Sequence, residues 1–352
     1  MKPWEANIRK VVPYTPGEQP NESGMIKLNT NENPYSPAPG VEKALKALDT
    51  DTLRLYPDPT AGDLVHSIAA FYGLKDEQVF TGVGSDDVLA MCFLTFFNSE
   101  KPIFFPDITY SFYDVWADLF KIPYDKKPLD ENFMIKKDDY YWKNGGVVFP
   151  NPNAPTGVLM PLDEIEDIIS HNQDVIVIVD EAYVDFGGHS AQELLSKYEN
   201  LLVVQTFSKS RSMAGMRIGY AMGSAELIKA LNDVKYSFNS YTMDRTTIAA
   251  GVASMKDQAY FEECCNKIIT TREWTKTELK KLGFSFQDSK ANFIFATHES
   301  CPAKKLFGAL REKHIYVRYF PKDRIDNHLR ITIGTDKEMK KLVEFLKEYL
   351  QK

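Results

Sequence analysis

The sequence predicts an α/β protein with two domains, a larger one built on a mostly parallel central sheet covered by helices and a smaller α+β one. Between about residues 78 and 235, short apolar runs alternate with helical patterns, which is typical of a parallel sheet covered on both faces. A long polar helix is predicted over 257–281, and shorter strands and helices follow it. With 352 residues, the chain is long enough for two domains of ordinary size.

Three regions are distinguished by composition and pattern. We predict an N-terminal arm over 1–27 that packs with the small domain, a large domain over 28–244 and a small domain over 245–352. The arm is Pro-rich, and residues 26–40 are dense in Asn and Pro, so we expect both to be irregular.

Strands and helices are predicted from apolar runs, amphipathic patterns and turn residues. In the large domain these are a helix at 41–50, a turn and helix within 53–73, strand–turn–helix units at 78–97, 101–121 and 146–171, strands within 175–183 and 201–206, and a helix at 225–234. In the small domain they are strands starting near 284, 292, 315 and 329, and helices at 302–313 and 336–350.

Composition excludes several classes of partner. The formal net charge of −7 argues against a nucleic-acid or anionic-membrane surface as the main partner. The four cysteines show no CxxC spacing, so we predict no zinc site and no disulfide framework, and reduced thiols indicate a cytoplasmic protein. No secretory signal and no apolar run of about 18 residues is present, so we expect no membrane span.

Polar residues follow two apolar runs, at the place where open α/β sheets bind their ligands. Lys209 comes just after the run that begins at Leu201, and the run before it ends in Asp180 and Tyr183. A lysine, an aspartate and a tyrosine at adjacent strand ends suit pyridoxal phosphate, as the Schiff-base lysine, the partner of the pyridinium nitrogen and the partner of the ring hydroxyl. The three residues therefore predict a pyridoxal-phosphate site.

A Gly-rich turn, GVGSDD at 82–87, precedes a predicted helix. Backbone N–H groups at such a turn and the helix dipole bind anions. Ser208 and Arg217 would add phosphate contacts. The spacing matches neither GxGxxG nor a Walker P-loop, so we expect neither a dinucleotide nor a triphosphate.

Each of these residues also has a structural interpretation that the pattern leaves open. An isolated lysine such as Lys209 is usually a solvated surface residue, and Asp180 suits a helix N-cap or a structural ion pair. Tyr110 would either stack on a planar ring or belong to the core. Arg318 and Arg330 would either pair on a surface or bind a carboxylate or phosphate in a pocket.

Eight motifs, taken in order, resemble those of fold-type I, class-II pyridoxal-phosphate-dependent aminotransferases, and most closely the histidinol-phosphate aminotransferase family. They run nearly the whole chain, and it is their order that is specific: LNTNENPYSP, LYPDPTAGDL, GVGSDDVL, DITYSFY, NPNAPTG, VDEAYVDF, TFSKSRSMAGMRIGY and LRITIGT. The resemblance implies the fold-type I architecture with a large and a small domain.

The resemblance also implies a role for each matching residue. Lys209 would form the internal aldimine and carry the proton between the substrate Cα and the cofactor C4′. Asp180 would pair with the pyridinium nitrogen, Tyr183 would bond the phenolic oxygen and Tyr110 would stack on the ring. No metal is implied.

Further residues match positions that hold the cofactor phosphate and the substrate. The phosphate would be bound by backbone or side chains of Gly84, Ser85, Asp86, Ser208 and Arg217. Tyr56 resembles a tyrosine that reaches the phosphate from the other subunit, which implies a homodimer with shared sites. Tyr14, Arg318 and Arg330 match substrate-binding positions, and Arg330 would clamp a carboxylate or the phosphate of histidinol phosphate.

One position departs from the pattern of many relatives, in which an asparagine directly before Pro-Thr-Gly donates to the phenolic oxygen of the cofactor. Here that position is Ala154, and Asn153 lies one residue earlier. Either Asn153 replaces the missing amide through an altered turn, or Tyr183 makes that contact alone.

The implied reaction is a ping-pong transamination in histidine biosynthesis, in which L-histidinol phosphate is the amino donor and 2-oxoglutarate the 2-oxo acid acceptor. The alternatives on the same scaffold are an aromatic-amino-acid aminotransferase and a threonine-phosphate decarboxylase. A non-catalytic cofactor-binding regulator is disfavoured because the sequence shows no added DNA-binding segment. Fold and cofactor do not choose among these, since specificity depends on a few pocket contacts.

Overall fold

The computed structural model describes residues 2–351, which form two sheets flanked by helices. The strands are β1 (Ile26–Leu28), β2 (Val79–Gly82), β3 (Ile103–Pro106), β4 (Tyr124–Lys127), β5 (Val147–Pro150), β6 (Val177–Asp180), β7 (Leu201–Thr206), β8 (Gly219–Met222), β9 (Phe284–Phe286), β10 (Phe293–His298), β11 (Ile315–Tyr319) and β12 (Leu329–Thr332).

The α-helices alternate with the strands in the first part of the chain and separate from them later. They are α1 (Pro39–Lys46), α2 (Gly62–Tyr72), α3 (Ser85–Phe96), α4 (Phe112–Phe120), α5 (Leu162–Ser170), α6 (Ala225–Phe238), α7 (Arg245–Lys256), α8 (Gln258–Lys281), α9 (Ala303–Glu312) and α10 (Asp336–Leu350). Within residues 2–351, no helix is long and apolar enough to cross a membrane.

The larger sheet has seven strands in the order β2-β8-β7-β6-β5-β3-β4. Strand β8 runs antiparallel to both of its neighbours, and the other pairings are parallel. The predicted mostly parallel sheet is therefore confirmed. Strands β5, β6 and β7 are adjacent, so their carboxyl ends lie together at one edge.

Alternate side chains of the central strands enter two separate cores. Val179 and Val203 pack in one core with side chains of α2, α5 and α7. Ile178 and Leu202 pack on the opposite face with side chains of α3, α4 and α6. Because both faces are buried, these strands are apolar without interruption, which is the pattern that identified them in the sequence.

The smaller sheet has five strands in the order β1-β11-β12-β10-β9. Strand β1 is parallel to β11, and the remaining pairs are antiparallel. Its core contains side chains of α8, α9 and α10, and it also includes Tyr183 and Phe186 from the segment after β6. The end of β6 therefore lies where the two sheets meet.

Three local predictions differ from the structure. Residues 26–40 are not irregular throughout, because β1 lies at their start and buries Ile26 and Leu28 against the small sheet. The helix predicted at 41–50 is α1, which ends at Lys46. Strands β4 and β8 were not predicted, since β4 (YDKK) is largely polar and β8 (GYAM) starts with glycine and contains no β-branched residue, so neither shows the apolar run that identified the other strands.

The predicted domain limits remain predictions, although the packing bears on them. Helix α7 contributes to the same core as α2, which favours a boundary near residue 257 rather than at 245. The arm contacts both domains: Glu18 pairs with Arg311 of α9, and Tyr14 stacks on Phe112 of α4 with ring centroids 4.1 Å apart.

Arg272 of α8 links the segment after β6 to the small domain, so we expect its removal to destabilise the fold. It is 2 % exposed and donates to the carbonyl oxygens of Phe186 (2.7 Å) and Ala291 (2.9 Å). Arg272→Ala should lower the free energy of unfolding by about 3 kcal/mol, because two buried acceptors lose their donor. Urea denaturation measures this, with the exposed Lys280→Ala on the same helix as control. A loss no larger than that of the control would contradict the prediction.

Candidate active site

The residues predicted from the strand ends lie together. Asp180 is the last residue of β6, and Lys209 follows the end of β7, which pairs with β6 in parallel. The Lys209 Nζ lies 5.7 Å from the centre of the Tyr183 ring. These side chains meet because adjacent parallel strands end at the same edge of the sheet.

Asp180 is a buried carboxylate with few donors. It is 4 % exposed, and it accepts hydrogen bonds from the Tyr113 hydroxyl (2.8 Å) and the Ala182 backbone N–H (3.3 Å). Burial raises the pKa of Asp180 to about 6, although the Tyr113 hydrogen bond acts in the opposite direction. A positive charge placed beside this carboxylate would stabilise its ionised form.

Lys209 and Tyr183 are both contacted by the segment 29–33. The Lys209 Nζ donates to the Thr30 carbonyl oxygen at 3.3 Å, and the Lys209 carbonyl oxygen accepts from the Asn33 side chain at 3.0 Å. The Tyr183 hydroxyl accepts a hydrogen bond from the Asn31 side chain at 2.9 Å. These asparagines belong to the LNTNENPYSP motif, and the resemblance implied no role for them.

The turn between β2 and α3 makes an anion site with Arg217. Gly84 has a φ of 89°, and a Cβ there would overlap the Arg217 guanidinium. A Cβ at Gly219 would overlap the backbone of Gly84 and Ser85, so both positions require glycine. The first N–H groups of α3, including that of Asp86, therefore lie next to a guanidinium.

Polar contacts hold the side chains around this turn. Arg217 Nη2 lies 3.3 Å from a carboxylate oxygen of Asp86, and Nη1 lies 3.5 Å from the Ser208 hydroxyl. The Tyr110 hydroxyl donates to Asp86 at 2.6 Å, and burial raises the pKa of Tyr110, as does Asp86. Tyr110 is thus fixed between the Gly-rich turn before α3 and the central cavity.

The cavity in front of Lys209 has a volume of about 160 Å³. Its lining includes Tyr14, Tyr110, Tyr183, Lys209, Arg318 and Arg330. The structure thus brings three residues predicted to bind the cofactor, Tyr110, Tyr183 and Lys209, to one space with the three predicted to bind the substrate.

Two arginines face each other across β11 and β12 at one side of this cavity, since Arg318 and Arg330 are register partners. Arg330 donates to the Asn29 carbonyl oxygen at 2.9 Å, and its buried Nε has no partner among the described residues. Burial lowers the pKa of Arg330, and the charge of Arg318 acts in the same direction. A bound anion would relieve both effects.

Asn153 has a different role from the one the first alternative gave it. Its amide nitrogen donates to the Ile108 carbonyl oxygen and to Thr156 Oγ1, both at 3.0 Å, and its oxygen accepts from Thr109 at 3.2 Å. Because both amide hydrogens stabilise the turn, this side chain is unsuited to replace the amide missing at Ala154.

Tyr56 lies outside this cavity in the single chain. It is 77 % exposed, and its ring stacks on Tyr241 with centroids 4.7 Å apart. Tyr113, which donates to Asp180, was not predicted as a site residue, although it is the last residue of the DITYSFY motif.

The residues present fit pyridoxal 5′-phosphate. Asp180 is a buried carboxylate that forms no salt bridge within residues 2–351, Tyr183 and Lys209 line the adjoining cavity, and the N-terminus of α3 with Arg217 suits a phosphate. The Gly84–Gly219 approach leaves no room for a side chain at the turn.

Comparison with known proteins identifies the family of the chain. Residues 23–346 match the family "Aminotransferase class I and II". The chain is 53% identical over 348 residues to a histidinol-phosphate aminotransferase of Lactococcus lactis subsp. cremoris, covering 99% of this chain and 98% of that protein. It is 52% identical over 345 residues to the one of Clostridium acetobutylicum, covering 98% of each. The chain therefore belongs to the class I and II aminotransferases, and within them to the histidinol-phosphate aminotransferase family.

Solved structures confirm the fold. A crystal structure of a histidinol-phosphate aminotransferase from Clostridium acetobutylicum matches with a TM-score of 0.85 at 24% identity, covering 93% of this chain and 99% of that one. The Sinorhizobium meliloti histidinol-phosphate aminotransferase, solved in complex with pyridoxal-5′-phosphate, matches with a TM-score of 0.84 at 22% identity, covering 93% and 91%. The predicted family and fold class are both confirmed.

The raised pKa of Asp180 predicts a pH dependence of stability in the cofactor-free protein. A folded-state pKa of about 6 against a usual 3.8 means that the stabilisation is present below about pH 4 and is lost as pH rises through 6. Relative to Asp180→Asn, the parent should lose about 3 kcal/mol across this window, at ~1.36 kcal/mol per pKa unit.

Urea denaturation from pH 3.5 to 7.5 measures this difference, with the exposed Asp163→Asn as a control for loss of a carboxyl group. Bound cofactor should reduce the loss, because a cation beside Asp180 favours the charged form. Parallel curves for the parent and Asp180→Asn in the cofactor-free state would refute the prediction.

Proposed function

We propose that this protein transfers the amino group of L-histidinol phosphate to 2-oxoglutarate, giving imidazole-acetol phosphate and L-glutamate, as a step of histidine biosynthesis. The observation that carries the substrate assignment is the arginine pair across β11 and β12, next to Lys209. Two adjacent guanidinium groups suit a phosphate dianion better than a single carboxylate.

The two substrates would use one pocket in turn, which is the ping-pong scheme. L-Histidinol phosphate has a phosphate where an amino acid has its α-carboxylate, and Arg330 would bind either group. The unpartnered Arg330 Nε is the donor that supports this role. Tyr14 and Arg318 complete the substrate-binding wall.

Pyridoxal 5′-phosphate, when bound, supplies a carbonyl carbon that takes up the amino group and a ring that accepts electrons. The neutral Lys209 amine would take the proton from the substrate Cα and later return one. Asp180 would hold the positive charge at the ring nitrogen, and the Tyr183 hydroxyl would donate to the phenolic oxygen. The N-terminus of α3, Ser208 and Arg217 would anchor the phosphate.

A half-reaction on the protein loaded with pyridoxal phosphate tests the substrate. L-Histidinol phosphate, L-phenylalanine, L-threonine phosphate and L-glutamate are added separately, and the loss of the visible absorption of the bound cofactor is followed. We expect histidinol phosphate to react at the lowest concentration. Arg330→Gln should lower its kcat/KM by about 10²–10³-fold, because a buried charge-assisted contact is lost.

The exposed Lys304→Gln on α9 is the matched control for loss of a cation. Faster conversion by phenylalanine would replace the proposed substrate with an aromatic amino acid. Carbon dioxide release from threonine phosphate, without conversion of the cofactor, would identify the decarboxylase.

We also propose a homodimer in which Tyr56 reaches the cofactor phosphate of the other subunit. Large apolar side chains are exposed around it, including Leu53 (56 %), Leu55 (50 %), Phe238 (73 %) and Tyr241 (47 %). The two segments are adjacent, since Arg245 donates to the Tyr56 carbonyl oxygen at 2.6 Å. An apolar surface of this kind suits a subunit interface.

The cytoplasmic location also remains a prediction, supported by four free, buried cysteines.

Mixed dimers test the shared site. Tyr56→Phe should weaken cofactor binding about 10-fold through loss of one charge-assisted hydrogen bond, and Lys209→Ala should abolish turnover. A dimer of one subunit of each kind should have one working site in two at a cofactor concentration that Tyr56→Phe alone fails to fill.

The reciprocal control places both substitutions in one subunit and pairs it with an unmodified one. Sites shared between subunits predict no fully working site in that dimer, whereas a site contained within one subunit predicts one. Activity that follows the second pattern would exclude the role of Tyr56 across the interface.

A further inference from the structure

Asn31 lies buried between the two sheets, where it contacts a tyrosine of the candidate site. It is 1 % exposed, and its φ of 57° is in the left-handed region that asparagine tolerates better than most residues. Its side-chain nitrogen donates to the Tyr183 hydroxyl at 2.9 Å. It is thus the hydrogen-bond partner of the tyrosine that is proposed to contact the ring hydroxyl of the cofactor.

The orientation of the Asn31 amide is fixed by Thr332 on β12. The Thr332 hydroxyl oxygen accepts from the Asn31 backbone N–H at 3.1 Å and donates its proton to Asn31 Oδ1 at 2.9 Å. Because the oxygen of the amide is held there, the nitrogen faces Tyr183. The Asn31 carbonyl oxygen also accepts from the buried Asn292 side chain at 3.0 Å.

We propose that Asn31 is a positioning residue that makes the Tyr183 hydroxyl a donor to the phenolic oxygen of the cofactor, and so replaces the amide missing at Ala154. Asn153 is unavailable for this, since its amide stabilises its own turn. The inference rests on the proposed function, because the contact between Tyr183 and the cofactor belongs to it.

The expected effect of Asn31 on the ionisation of the cofactor follows from the direction of the hydrogen bonds. When Asn31 donates to the Tyr183 oxygen, the tyrosine proton is free to point at another acceptor, and the donated bond polarises the hydroxyl and strengthens it as a donor. A stronger donor stabilises the ionised phenolic oxygen of the cofactor. Bound cofactor therefore keeps that oxygen ionised to a lower pH than it would without Asn31.

The test is the pH midpoint of the change in visible absorption of the bound cofactor in Asn31→Asp. Aspartate keeps the side-chain size and the oxygen that Thr332 contacts, and it replaces the donor with an acceptor that takes up the Tyr183 proton. We expect the midpoint to rise by about 0.5–1 pH unit, the equivalent of one hydrogen bond. Cofactor affinity should fall about 3–10-fold.

Three comparisons separate the positioning of the Tyr183 hydroxyl from the effect of added charge. Asn29→Asp adds the same charge two residues away, where the side chain contacts the Glu18 carbonyl oxygen and not Tyr183, so its midpoint should move less than half as far. In the Tyr183→Phe background, Asn31→Asp should move the midpoint no further than Asn29→Asp does, because only the effect of the added charge remains. Asn31→Gly, which suits the positive φ and removes the amide, should raise the midpoint without adding charge.

An equal shift in Asn29→Asp, or a full shift of Asn31→Asp in the Tyr183→Phe background, would overturn the proposal while leaving the proposed function intact. An unchanged midpoint in both Asn31 variants, with a clear shift in Tyr183→Phe, would do the same. If Tyr183→Phe itself left the midpoint unchanged, the contact between Tyr183 and the cofactor would be wrong, and the role of Asn31 would fall with it.

Discussion

Burying a carboxylate at the end of a parallel strand is unfavourable unless donors or a cation surround it. Asp180 has a tyrosine hydroxyl and one backbone N–H, and burial still raises its pKa to about 6. The flanking strands β5 and β7 keep it in an apolar sheet and bring Lys209 to the same edge. The site is thus arranged around a charge that a protonated ring nitrogen would balance.

A second constraint is that the site needs both sheets. The carbonyl oxygen of Asn29 accepts a hydrogen bond from Arg330 of β12, and that of Thr30 accepts one from Lys209. The side chain of Asn31 forms hydrogen bonds with both Tyr183 and Thr332. The segment 29–33 therefore links the loop after β7 to the small sheet through hydrogen bonds. This explains why β1, directly before it, belongs to the small sheet although it lies near the start of the chain.

The parallel strands could be predicted because burial on both faces leaves uninterrupted apolar runs. Strand β8 lacked such a signal, since its sequence, GYAM, starts with glycine and contains no β-branched residue. Strand β1 was not predicted because it has only three residues, next to an Asn- and Pro-rich segment, and pairs with β11 far along the chain. Because Ala154 replaces an asparagine in the NPNAPTG motif, the sequence left two alternatives for the contact with the phenolic oxygen of the cofactor, Asn153 or Tyr183 alone. A turn pattern does not specify which acceptors an amide will contact.

By itself, the sequence determined the class of fold, the strand ends that carry Asp180 and Lys209, the Gly-rich turn before α3 and the family, because these depend on local patterns and on residue order. Only the tertiary structure decided which side chains are partners. Arg318 lies beside Arg330 because of the register of β11 and β12, and Asn31 contacts Tyr183 because the two sheets pack together. Such contacts join residues more than ten positions apart, and a single sequence contains no signal for their distance.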